Sequence, residues 1–164
     1  MAAFGRTRMP DDVRAVAGGE RVLSYAYDAD GAVVLATDVA LHLPQTYGVA
    51  RLPWDLVVRA GWTTPVLDLT VQLVAGGPAK ALAVELPEPG SLPMVVREQV
   101  TGSIVVEDHV VLQAGAGARL VARRTESGEV RWSVVFDKGL DPRDPDLRAA
   151  ADTALAQLRA QLGV

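Results

Sequence analysis

From Arg21 to Leu86 the chain reads as a succession of short alternating or β-branched runs, each stopped within a few positions by a turn signal. No stretch long enough for a helical crossover separates them, so successive strands must pair as neighbours in an antiparallel meander. "RVLSYAY" (21–27) ends at Asp28-Ala29-Asp30-Gly31, where Asp-Gly predicts a tight hairpin turn, and "AVVLAT" (32–37) runs back. Thr37-Asp38 opens the next bend, with the Asp side chain expected to bond backbone two residues on. "ALHLP" (40–44) is the third strand, ended by Pro44. "VARLPW" (49–54), "LVVRAGW" (56–62), "VLDLTVQLV" (66–74) and "KALAVEL" (80–86) follow, divided at Thr63–Pro65 and at the Gly76-Gly77-Pro78 hairpin loop.

Helical signals are few. A short helix is predicted over residues 10–17, closed by Gly18 and Gly19, and Ser91 with Pro93 marks a second leading into "MVVREQV". Strands resume at "SIVVEDHVVL" (103–112), "ARLVARR" (118–124) and "VRWSVVF" (130–136). In the last helix Asp144 caps, Pro145 takes the first position, Asp146 lies at the positive end of the dipole, and Gly163 ends it. Leu147, Ala150, Ala151, Ala154, Leu155, Leu158 and Leu162 fall on one apolar stripe.

The run "DGAVVLATDVALHLP", then "RLPWDLVVRAGW", and a helix after about seven strands resembles the bacterial pleckstrin-homology-like domains, in particular actinobacterial ones. The likeness covers roughly residues 20–100. It implies a strongly bent antiparallel sheet or half-barrel closed at one end by a helix, and a domain that binds proteins or lipid headgroups and is not catalytic. Residues 103–164 then extend this core by three strands and a C-terminal helix, within a single α+β, mainly β domain of residues 1–164. The first hairpin loop, "DADG", is acidic where a phosphoinositide-binding member needs a basic loop, which argues against phosphoinositides.

Charge and composition narrow the function classes. A net charge of −4 argues against a general nucleic-acid or anionic-membrane binder, since such proteins rely on concentrated Lys and Arg. With no cysteine, disulfide frameworks, zinc ribbons and thiol catalysis are excluded. Asp11 and Asp12 interrupt the N-terminus before an apolar leader could form, and Pro65 and Asp68 break the most apolar later window, so a soluble cytoplasmic protein is expected. Hydrophobic residues make up 49% of the chain, and that excess predicts a homodimer that covers part of a sheet.

The chemistry-bearing residues give a short list. His42, between Leu41 and Leu43, reads as an outward or hydrogen-bonded strand histidine, and no ligands on matching faces make a metal site with Asp38. Glu107 and His109 share a strand face and could support acid–base chemistry if a cleft held them. "QAGAGARL" (113–120) lacks a P-loop ending and reads as a hairpin loop. The run Asp137, Asp141, Asp144, Asp146 lacks calcium-loop spacing and reads as turns and caps. No cofactor is implied. Trp54, Trp62 and Trp132 are expected in the core.

The most specific expectation concerns arginines. A three-residue loop at Glu126-Ser127-Gly128, with Gly128 left-handed, pairs Arg123 with Arg131 and Ala122 with Trp132. Leu120, Ala122, Val130, Trp132, Val134 and Phe136 then face inward. Arg119, Arg123 and Arg131 gather outward with Ser133 and Val135, a candidate site for a carboxylate or phosphate partner. The leading expectation is therefore a noncatalytic binding or adaptor module with an acidic protein partner. The alternatives are a small enzyme using His109 with Glu107, or a structural homodimer subunit.

Overall fold

The turn signals fall where the chain reverses. The computed structural model describes residues 8–74 and 77–164; residues 1–7, on which the leader reading partly rests, and Gly76 of the hairpin loop lie outside them. Among the described residues, ten strands form three antiparallel sheets with three helices, an α+β fold that is mainly β. The first sheet has the order β1 (Val22–Tyr27), β2 (Val33–Thr37), β3 (Ala40–His42), β4 (Arg51–Pro53). The second is β5 (Val57–Thr63), β6 (Val66–Val71), β7 (Lys80–Glu85). In the third, β9 (Ala116–Arg124) lies between β8 (Ile104–Gln113) and β10 (Val130–Phe136). The helices are α1 (Asp11–Ala17), α2 (Leu92–Gly102) and α3 (Pro145–Leu162).

Local chemistry explains the reversals. Asp28 Oδ1 accepts the amides of Asp30 and Ala32 across the first hairpin, at 3.0 and 2.8 Å, and Gly31 takes the left-handed φ of +79° there. At the second bend the Thr37 hydroxyl, in place of the expected Asp38 carboxylate, accepts the amides of Val39 and Ala40. Asp144 caps α3 through the amides of Asp146 and Leu147, and Gly163 closes it in the left-handed conformation.

The first two sheets share one core. Val34, Leu41 and Leu52 meet Leu67, Leu69 and Val84, and Leu92, Val96 and Val100 of α2 close the assembly. Leu35 points the other way, yet it is fully buried, because Val13 and Ala17 of α1 cover the outer face of the first sheet. That is why "AVVLAT" is apolar without alternation: both of its faces are covered. Trp54 is in this core and donates Nε1–H to the Thr37 carbonyl at 3.0 Å, whereas Trp62 and Trp132 are only half-buried.

The third sheet repeats the pattern. Ala118, Leu120, Val121, Ala122 and Arg123, consecutive but for Arg119, are all buried in β9. One face of β9 meets β5 and α2, where Arg123 bonds the Val58 and Val100 carbonyls; α3, which packs on β8 and buries Leu147 and Ala151, covers the other. Val130, expected inward, is 46% exposed at the start of β10, beside the Glu126-Ser127-Gly128 loop.

Candidate functional site

The β9–β10 register is the one that the three-residue loop requires. Arg131 opposes Arg123 and Trp132 opposes Ala122. Thr125 N–H donates to the Glu129 carbonyl at 2.7 Å and Gly128, at φ +88°, closes the turn. Register fixes which residues share a face, and the packing of the whole sheet decides which face is wet. Here the two readings part: Arg119, Arg123 and Arg131 do share a face, but that face turns toward β5 and α2, so Arg123 is 2% exposed instead of solvated.

Each arginine of this face has a different environment. Arg123 donates from one terminal nitrogen to the Val100 carbonyl and the Ser103 hydroxyl, both at 2.7 Å, and from the other to the Val58 carbonyl at 3.1 Å. Its Nε–H is buried without a partner. Burial, reinforced by the neighbouring Arg119 charge, pushes the Arg123 guanidinium below its usual range. Arg131 Nε lies 3.1 Å from Oδ2 of the buried Asp55, an ion contact not aligned as a hydrogen bond. Arg119 pairs with Glu107 at 3.2 Å.

Two arginines that the sequence did not single out complete the group. Arg59 of β5 and Arg97 of α2 line, with Arg119, Arg123 and Thr101, a cavity of about 180 Å³ between the second and third sheets. No side-chain hydrogen bond or ion pair holds Arg59 or Arg97 among the described residues. Neither carries a local signal: one sits in an apolar strand, the other in a helix, and only the docking of the third sheet brings them to Arg119.

A second feature lies at the opposite edge of β10. The bonds from Thr125 N–H to Glu129 and from Asp137 N–H to Gly117 fix the alternation of the ladder, so Arg131, Ser133 and Val135 bond to β9. The peptide groups of Val130, Trp132, Val134 and Phe136 therefore point away from the sheet, and among the described residues no strand lies beyond them. Residues 132–136 form the floor of a groove of about 370 Å³. One wall is Gln72 with residues 77–79, the other Leu140, Ala151 and Leu155.

Both histidines are held by carboxylates. His42 Nε2 is 2.8 Å from Glu20 Oε1, which also accepts the Thr37 hydroxyl, while Arg51 bridges Glu20 to Glu126 of the β9–β10 loop at 3.0 and 2.6 Å. Burial works against the charged form of Glu20, but the bonds from His42, Thr37 and Arg51 outweigh it and hold the carboxyl at about 2. Glu107 and His109 share a face as expected, through the partners Val121 and Arg119. Their ionic partners differ, however: His109 Nε2 faces Asp137 at 2.9 Å. Asp137 is held low by the Gly117 amide and by His109.

Among the described residues no group of His, Asp and Glu side chains is placed to hold a metal ion, and no helix is long and apolar enough to cross a membrane. No protein-family model, curated protein or solved structure matches the chain.

Proposed function

We propose that the chain is a noncatalytic cytoplasmic binding module with a pleckstrin-homology-like core, and that its partner is a protein that adds an extended segment to the free edge of β10. The sequence likeness over residues 20–100 agrees with the four-strand and three-strand sheets followed by α2. The open edge carries the reading. Four successive outward peptide groups present donors and acceptors, and a strand laid beside them would satisfy them while its alternate side chains meet Pro78 and Ala79 on one wall and Leu140, Ala151 and Leu155 on the other, with Gln72, Arg143, Arg148 and Asp152 as the polar part of the lining. A second copy of the chain is the competing occupant. The edge, however, lies at the bottom of a groove, between α3 and the β6–β7 turn. A single extended segment reaches it, whereas another recessed edge meets the same walls first. The enzyme alternative is less well supported, because neither histidine lines this groove or the arginine cavity.

Random peptides displayed on phage and selected against the intact chain test the reading. Retained sequences should alternate apolar residues and lose binding to Val134→Pro, whose proline removes an outward amide and no bond to β9. Recovery of no peptide, or full binding to the variant with its fold intact, would rule it out.

A further inference from the structure

We propose that the cavity between the second and third sheets is an anion site for a phosphate monoester, with Arg59, Arg97 and Arg119 as its contacts and Arg123 as the buried charge behind them. This site is independent of the β10 edge. Four arginines line the cavity, Arg59, Arg97, Arg119 and Arg123, and a fifth, Arg131, lies opposite Arg123 on β10. Two carboxylates touch them, Glu107 on Arg119 and Asp55 on Arg131. Three positive charges, five less two, are left over.

The burial of Arg123 makes that excess significant. Its partners are two carbonyls and a hydroxyl, which satisfy hydrogen bonds but not charge. Its Nε–H lacks even a neutral acceptor. A buried cation with neutral partners is costly, and an anion in the adjoining cavity would offset that cost. Glu107 and Asp55 act on Arg123 only from a distance, each being committed to another arginine.

Size and charge choose the ligand. At about 180 Å³ the cavity falls below the roughly 300–1,000 Å³ of sites that enclose whole small molecules, so it takes a headgroup-sized anion. A carboxylate brings one charge and two acceptor atoms. A phosphate monoester brings about −1.5 to −2 at neutral pH and three terminal oxygens, a better match to a cavity lined by Arg59, Arg97, Arg119 and Thr101. The chemistry is common to a phosphorylated side chain and to a small phosphorylated metabolite.

Calorimetric titration of the intact chain at fixed ionic strength tests the site, with inorganic phosphate, a phosphoserine peptide, its unphosphorylated form, and acetate. Inorganic phosphate should bind at least about tenfold more tightly than acetate and raise the melting temperature. Binding tighter still to the phosphoserine peptide identifies a protein source, and phosphate binding without that gain a metabolite. Arg59→Ala with Arg97→Ala, both at the cavity mouth, should lose about tenfold or more while melting unchanged without ligand. Phosphate no better than acetate, or a double variant that binds undiminished, overturns the proposal. Binding confined to vesicles containing phosphatidic acid does so too, in favour of a membrane headgroup.

Discussion

Arg131 of β10 and Asp55 of the turn between β4 and β5 form an ion pair at 3.1 Å, the carboxylate side chain 3% exposed and the guanidinium 37%. The pair fastens the third sheet to the core of the first two. Because the burial is lopsided, removal of the arginine leaves an uncompensated buried charge. Arg131→Ala should cost roughly 2–4 kcal/mol, and adding Asp55→Asn should recover part of that loss. Urea unfolding of the two variants measures it. A double variant less stable than Arg131→Ala alone would contradict the account.

Glu20 predicts an acid limb. Its carboxyl is lowered from 4.5 to about 2 in the folded chain, so its contribution is complete above pH 4.5 and is lost as pH falls from there toward about 2. Glu20→Gln, which removes the ionisable partner of His42 and Arg51, should cost about 1–3 kcal/mol at neutral pH and flatten the pH dependence over that window. Equal slopes for both proteins in denaturant titrations between pH 2 and 5 would place the acid sensitivity elsewhere.

Local chemistry was legible in the sequence because it acts over a few residues. Asp30-Gly31, the Glu126-Ser127-Gly128 loop and the Asp144-Pro145 cap each state their own conformation, and the strands between them fall close to the expected bounds. What could not be read was which face of a strand meets another layer. In "ARLVARR" alternation separates Arg119 and Arg123 from Leu120 and Ala122 correctly, yet alternation says nothing of a neighbour on the polar side. Arg123 is buried because Val58, Val100 and Ser103, distant in sequence, supply its acceptors. Leu35 is hidden for the same kind of reason, by α1. Arg59 and Arg97 were invisible as site residues, since only tertiary docking makes them neighbours.

Two glycines near the β8–β9 hairpin should behave differently. A methyl group on Gly117 would collide with the Val110 carbonyl and the Val111 Cα, backbone atoms that cannot step aside. Gly115, at φ +80°, has open space around it and pays only for its left-handed backbone. Gly117→Ala should therefore cost about 3 kcal/mol or more, and Gly115→Ala about 1–2 kcal/mol. Thermal unfolding of the two variants decides the order, and a larger loss at Gly115 would contradict the close approach.

The β10 ladder makes a prediction residue by residue. Pairing sums along β9 and β10 are constant, and the flanking bonds, Thr125 N–H to Glu129 and Asp137 N–H to Gly117, both involve odd-numbered partners. Odd amides of β10 consequently point to β9 and even ones into the groove. Hydrogen exchange in the free chain should protect Arg131, Ser133 and Val135 while Val130, Trp132, Val134 and Phe136 exchange as open amides, a contrast of about tenfold or more between neighbours. A bound strand would bond to every second residue of β10, which is the whole exposed set, so the partner peptide should slow the even amides and leave the odd ones as they were. Uniform protection along β10 before any peptide is added would show that the edge is already covered, and the strand-addition reading would then fail at its first premise.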